Sequence, residues 1–417
     1  MTMKDTRKYK QTELGLLPED WEVAKLGEKF LFISNNTFSR DFLCEDGEIK
    51  NIHYGDVLIK YGSTLDVSQS DIPAINSEHL PSYRPKCFAE DGDIIIADTA
   101  EDETVCKATE LWNIGGKRVV AGLHTMWCRP AQNTFAIKFL GYFMNTSLYH
   151  NQVLPLIQGI KVSSVSKSAI QGTWLCIPPI EEQHRIASAL TRIDNLIDSL
   201  DRLIAKKRDI KQGAMQQLLS GKKRLKGFTE PWVEKKLGDV ALFPTSNIKC
   251  NNFNSALFVT TDNMMPNKMG IVPFDGQISY ANVREYKTDD ILTSNIRPYL
   301  KKIWLANCNG GCSSDVIVLR ANCDLILPRF LYMVVGNDTF FNYSMDNAIG
   351  TKMPRGNKKA LKEYLFALPS LPEQQAIAAV LTSMDNELSA LEAKRKKYEQ
   401  IKQGMMQQLL TGRISLN

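Results

Sequence analysis

Two stretches of this chain, 177–221 and 368–412, superimpose without a gap at a constant offset of 191 residues and close on nearly the same words, IKQGAMQQLLSG and IKQGMMQQLLTG. An internal repeat of this kind dictates the rest of the reading. Each copy opens with a proline and acidic or amide residues: Pro178, Glu182 and Gln183 in the first, Pro369, Glu373 and Gln374 in the second. These residue types suit a helix start, where backbone N–H groups lie unpaired and the dipole is positive. An apolar seam follows, stepping by alternating fours and threes. It runs through Ile186, Leu190, Ile193, Ile197, Leu200 and Ile204, and again through Ile377, Leu381, Met384, Leu388 and Leu391. That spacing predicts two long helices packed side by side as a coiled coil.

A second element recurs. Trp21-Glu-Val-Ala-Lys-Leu26-Gly27 returns as Trp232-Val-Glu-Lys-Lys-Leu237-Gly238, now at an offset of 211. The chain therefore reads domain, helix, domain, helix, with expected bounds 1–177, 178–221, 222–368 and 369–417. The gapless repeat reaches back to about residue 139, through Gly159-Ile-Lys161 against Gly350-Thr-Lys352. Before that the two front halves have diverged beyond recognition. Segments 55–60, 92–97, 119–128 and 174–177 read as strands of the first domain, and 256–260, 290–293, 302–306 and 316–319 as strands of the second. Helices are expected at 139–145 and 330–337.

A helix over about 181–219 is roughly 58 Å long. Ten residues lie between Gly221 and Trp232, a reach of at most about 35 Å. The second helix must then start near where the first ends, so the pair is expected to run antiparallel. The fold class that follows is α+β: two pseudo-symmetric α/β domains, antiparallel or mixed in sheet, at opposite ends of an antiparallel coiled coil of two long helices.

Composition narrows the function. No stretch approaches the roughly 18 unbroken apolar residues of a membrane span, and the first residues lack the apolar core of a signal peptide. Nine cysteines, an odd number, fit a reducing cytoplasm better than a disulfide scaffold. The five histidines are scattered, Cys308 and Cys312 lack a second ligand pair, and no serine elbow or phosphate loop is present, so neither a metal nor a catalytic centre is expected. The acidic run Asp98, Glu101, Asp102 and Glu103 reads as a solvated loop rather than a metal site.

Basic and amide-bearing segments carry more. Asn295, Arg297, Tyr299, Lys301 and Lys302 follow a strand. Lys352, Arg355, Asn357, Lys358 and Lys359 form a basic segment whose first-domain counterpart holds Lys161, Ser163, Ser164 and Lys167. Arginine and asparagine supply paired donors for base edges, while lysine and serine bind phosphate oxygens. Recurrence at the same place in both repeats sets a DNA contact level with an ordinary solvated loop, and Arg297 and Arg355 lead the candidates in the second domain. Lys206, Lys207, Arg208, Lys211 and Lys394–Lys397 read as the wet face of the helices. Gly213 and Gly404, inside the helices, call for a close backbone approach by another helix of this chain or a partner, since an interior glycine costs about 1 kcal/mol.

The Trp-x4-Leu-Gly entry, a variable domain and a P-x3-EQ helix ending in IKQGAMQQLLSG, all occurring twice, closely resemble the specificity subunit of Type I restriction-modification systems. That resemblance implies two target-recognition domains, each reading one half of a split double-stranded DNA sequence, separated by two conserved helices. It implies no catalysis and no cofactor on this chain. It also implies recruitment of two methyltransferase (M) subunits, which carry S-adenosylmethionine, and of restriction (R) motor–nuclease subunits. The mild net charge of +5 fits a reader whose partners complete the DNA clamp. A two-headed protein-binding scaffold without nucleic acid is the alternative.

Overall fold

The computed structural model describes residues 7–80, 83, 85–159, 162–350 and 352–416. The chain forms two compact units, Met1–Asp201 with Lys394–Asn417, and Arg202–Ala393. Each contains one globular domain and part of each long helix, Ile180–Leu218 and Leu371–Leu409.

In the first unit, strands Phe30–Ile33, Thr125–Pro130, Ile94–Ala97, Ala108–Trp112 and Thr64–Asp66 lie in that order in one mixed sheet, the last pair parallel. Ile94, Ile95 and Ile96 are fully buried. A strand buried on both faces reads as a continuous apolar run, as the Ile-Ile-Ile of this one does. A second sheet orders Arg118–Ala121, Ile49–Ile52, Ala74–Ile75 and Leu43–Cys44. In the second unit the main sheet orders Ala241–Leu242, Val316–Ala321, Ile291–Ser294 and Ile303–Leu305. These four strands match the first four of the larger sheet one for one, so the diverged front halves share a core.

One buried ion pair marks that shared core. Asp93 accepts from Arg129 Nε and Nη2 at 2.8 Å each, and Asp290 accepts from Arg320 Nε and Nη2 at 2.8 and 2.6 Å. Each aspartate also takes the backbone N–H three residues earlier, from Glu90 and Lys287. Both carboxylates are 1% exposed, and a charge removed from water persists only when paired and hydrogen-bonded in this way.

The repeated words at the helix ends are explained by contacts within each unit. Trp21 donates Nε1 to Glu182 at 3.0 Å, and Arg7 grips the same carboxylate through two bonds of 2.7 and 2.6 Å. In the second unit Trp232 and Arg224 hold Glu373 at 2.9 Å and at 2.6 and 2.7 Å. Gln183 bonds the carbonyls of Pro178 and Thr134 and accepts from Ala136 N, as Gln374 bonds Pro369 and Leu325 and accepts from Leu327 N. The closing glycines have left-handed φ values of 69° at Gly221 and 65° at Gly412, the usual helix stop. A Cβ on Gly412 would lie 2.5 Å from Pro18 and 3.2 Å from Trp21, and one on Gly221 would lie 3.2 Å from Trp232. Each entry tryptophan thus touches the start of one long helix and the end of the other.

Along the helices Ile186, Leu190, Ile197, Leu200 and Ile204 are buried, as are Ile377, Leu381 and Leu388, while Ile193, Met384 and Leu391 are half-buried. In the first unit Asp194 pairs with Lys402 and Asp201 with Arg395; in the second Lys207 pairs with Glu387 and Lys211 with Asp385. Rising numbers on one helix meet falling numbers on the other, so the packing within each unit is antiparallel. These rim pairs are worth little individually.

Four expectations are corrected. Segment 55–60 is not a strand: Tyr54–Ile59 is a helix, its first turn capped by His53, whose ring accepts from Gly55 N at 3.2 Å. Segment 119–128 breaks into two strands of different sheets at Gly122, where a Cβ would lie 2.5 Å from Asn51. Segment 256–260 carries the turn Ser255–Leu257, capped by the Asn254 side chain, and a single bridge from Val259 to Cys312. Apart from the adjacent backbone of their own helices, no atom of the described residues comes within 4 Å of a Cβ built on Gly213 or Gly404. Close approach by another described element of this chain therefore does not account for them, which leaves the partner helix of the expectation. All nine cysteines are free; Cys312 is buried and Cys308 half-buried. Among the described residues no helix is long and apolar enough to cross a membrane.

Candidate nucleic-acid interface

In the second domain the structure brings the two basic segments together. Ile349 and Arg355 close a hairpin through mutual backbone bonds of 2.8 and 2.9 Å. Gly350, at φ 90°, allows the turn. The hairpin docks along 295–297: Arg297 N donates to Pro354 O at 2.8 Å, and Gly356 N to Asn295 O at 2.7 Å. Arg297 itself sits in the left-handed region at φ 48° and carries an exposed side chain with no carboxylate partner among the described residues. Tyr299 is 52% exposed beside it. Arg355 is exposed but held 3.3 Å from Asp315. Asn295 Oδ1 is buried and accepts no hydrogen bond among the described residues. A basic, aromatic and amide surface of this kind presents donors suited to phosphates and base edges.

The other candidates are placed differently. Lys301 bonds Asp338 at 2.9 Å, sharing that carboxylate with Lys268. Asn357 spends its side-chain oxygen on the N–H groups of Lys359 and Ala360, starting the helix Lys358–Lys362. Lys358 is half-buried, and its ammonium pKa is lowered by burial and by the nearby Arg284. Lys352 is exposed.

The first domain repeats this plan in part. Ser163–Ser164 pairs with Thr99–Ala100, and Gln158 and Ser164 close the hairpin with bonds of 2.9 and 2.8 Å. Ser166 caps the helix Lys167–Gln171 where Asn357 caps its counterpart. Lys167 stands over the Phe32 ring, Nζ to centroid 4.7 Å. Lys161 lies outside the described residues. The acidic run folds as a turn in which Asp102 accepts from Thr104 N at 2.9 Å, and Asp98 lies 3.6 Å from His124. Among the described residues no cluster of three His, Cys, Asp or Glu is arranged to hold a metal ion.

Arg284 and Lys362 join Lys358 and Lys359 around one cleft of the second domain; of these four, the basic segment singled out in the sequence contains only Lys358 and Lys359. Three of the four lie within the short segment Lys358–Lys362, where helical spacing places Lys358, Lys359 and Lys362 on one side. Arg284 lies on a strand, Asn282–Tyr286, and no local pattern singles it out.

Known proteins share both this sequence pattern and this fold. The family model for the Type I restriction modification DNA specificity domain matches the chain twice, over residues 18–206 and 229–403. The putative type I restriction enzyme MjaX specificity subunit of Methanocaldococcus jannaschii is 26% identical, the match covering 97% of this chain and 96% of the relative. The MjaVIII specificity subunit from the same organism is 24% identical over 95% of this chain and 94% of its own length. A solved chain from work on complex assembly and conformational transition of the type I R-M system has the same fold, with a TM-score of 0.60 at 17% identity over 95% of this chain and 99% of its own.

Proposed function

Because the chain belongs to the Type I restriction-modification DNA specificity family, we propose that its two domains each read one half of a split double-stranded DNA target. As a specificity subunit it selects DNA for the enzyme and performs no bond-breaking step of its own. Two methyltransferase subunits, carrying S-adenosylmethionine, and the restriction motor–nuclease subunits assemble with it in the cytoplasm.

The observation that supports this most is a shared core with divergent loops. Four strands in one order, with the Asp93–Arg129 and Asp290–Arg320 pairs, recur in both domains. The residues around the repeated hairpins differ: Ser163 and Ser164 in one, Pro354 and Arg355 in the other. A constant frame carrying different donors is what two readers of different half-sites require. Sequencing the methylome of cells with and without this gene, expressed with its methyltransferase, tests the reading. A split motif that appears with the gene supports it; methylation at a continuous motif, or none, contradicts it.

A further inference from the structure

Both domains hold a cleft at the same place. It is bounded by the segment after the Leu-Gly entry, by Thr125–Pro130 or its counterpart Val316–Ala321, and by the start of the short helix that follows the hairpin. Lining positions correspond: Phe32 with Phe243, and Lys167 with Lys358, the latter at the repeat offset of 191. The chemistry does not correspond. In the first domain the cleft, of about 450 Å3, mixes Lys167 with Asp98, Asn35 and Ser166. In the second, of about 190 Å3, the lining charges are Arg284, Lys358, Lys359 and Lys362, and no carboxylate lines it.

None of the three lysines forms an ion pair among the described residues; Lys362 rests over the Phe243 ring at 5.3 Å. Arg284 gives Nη1 to Val316 O at 3.1 Å, while its Nε is buried with no hydrogen-bond partner among the described residues. Four positive groups converging on one small cleft repel one another unless an anion sits among them. Base edges offer donors as well as acceptors, but a phosphate offers acceptors alone, which matches a lining of four cations and the Thr245 hydroxyl.

We propose that the second-domain cleft seats a backbone phosphate of the DNA duplex, held by Arg284, Lys358, Lys359 and Lys362. The proposal rests on the DNA-reading function above. It adds that the second domain anchors the duplex through a sequence-independent clamp that the first domain lacks at the equivalent place. The clamp is continuous with the reading surface, since Lys358 follows the hairpin that carries Arg355 by three residues.

The test uses the specificity chain assembled with its methyltransferase subunits. Binding of a duplex containing the methylated motif, and of one lacking it, is measured across a salt series for the natural protein and for the Lys358→Ala/Lys362→Ala variant. Circular dichroism melts check that both are folded, and Lys358→Arg/Lys362→Arg restores the charge. The alanine variant is expected to bind both duplexes on the order of tenfold more weakly, with its salt slope lowered by about 0.9 for each phosphate it no longer neutralises. The arginine variant is expected to recover most of the loss. An unchanged affinity and slope would overturn the clamp, and so would a loss confined to the duplex with the motif, which marks base reading. If the natural assembly methylates no split motif, the DNA-reading function itself fails, independently of the clamp.

Discussion

In the first domain Glu182 holds Trp21 and Arg7, and in the second Glu373 holds Trp232 and Arg224, at nearly the same distances, although Arg7 donates through Nη1 and Nη2 and Arg224 through Nε and Nη2. One sheet away the domains part. Glu110, on Ala108–Trp112, is fully buried and accepts the N–H groups of Lys138 and Gly141 at the start of the helix Phe139–Phe143. The corresponding strand, Ile303–Leu305, has no carboxylate, and the corresponding helix, Pro328–Val335, begins with a proline that has no N–H to satisfy. Contacts that join a domain to the helices are thus held to one design. Those deeper in the domain solve the same problem in different ways, leaving loop shape free to diverge with the DNA half-site.

The largest effect is expected where the two domains agree. Glu182→Ala leaves the Trp21 indole N–H without its acceptor and Arg7 with Asp20 alone, 3.1 Å away, and such a loss costs about 1–3 kcal/mol. Chemical denaturation should show the first unit melting early. Glu373→Ala should do the same to the second unit. If Glu182→Ala left the stability of the first unit unchanged, the clasp would be a contact without consequence.

Glu110 distinguishes the domains next. Burial pushes its carboxyl up to about 8, against the backbone N–H groups that favour the anion. Between the ordinary value of about 4.5 and about 8 the folded state therefore binds more protons than the unfolded chain. Stability of the first unit should be fullest below pH 4.5 as far as this group is concerned, and fall as pH rises towards 8. Melts at about pH 5, 6, 7 and 8 should show that decline, and Glu110→Gln should flatten it. A decline that persists in Glu110→Gln would assign it to another group.

Much of the frame was legible from residue spacing, because helices and their caps are local. The seam from Ile186 to Ile204, the strand at Trp174–Ile177 and the antiparallel run of the helices needed no tertiary information. What spacing cannot carry is the partner across space. GDVLIK at 55–60 and GDIIIA at 92–97 read alike, yet the first is a helix and the second a strand. Asp56 is gripped by Arg40 at 2.8 and 2.9 Å, whereas Asp93 is gripped by Arg129 on the adjacent strand. The same distance hid the kinship of the front halves. Arg129 and Arg320 stand at the repeat offset of 191, but their aspartates are spaced differently and mark the match only once the strands are paired. Among the DNA-binding candidates, Asn357 carries a helix cap that reads from sequence as an amide donor, as Ser166 caps the matching helix of the first domain.

Smaller effects sharpen the comparison of the two reading faces. Arg297→Ala should weaken DNA binding by the assembled enzyme by about 1–3 kcal/mol if the unpaired guanidinium meets a guanine edge. Arg355→Ala should cost less, because Asp315 already occupies that side chain. Duplex titrations with single-base changes check both; equal affinity and equal salt slope for both variants would remove this face from the interface. Smallest are the caps. Ser166→Ala and Asn357→Ala should each cost about 1 kcal/mol of stability, read as a shift in the denaturation midpoint. A larger loss of DNA affinity than of stability for Asn357→Ala would return it to the contact surface.

Whether one domain reads one half-site is tested most directly by a chimaera. Residues 1–175 are exchanged for the corresponding domain of a relative with a different target, leaving both long helices intact, and the methylome of cells expressing the chimaera with its methyltransferase is sequenced. The expected motif keeps the half assigned to the second domain and replaces the other half. A motif changed in both halves, or in neither, would contradict the two-reader account.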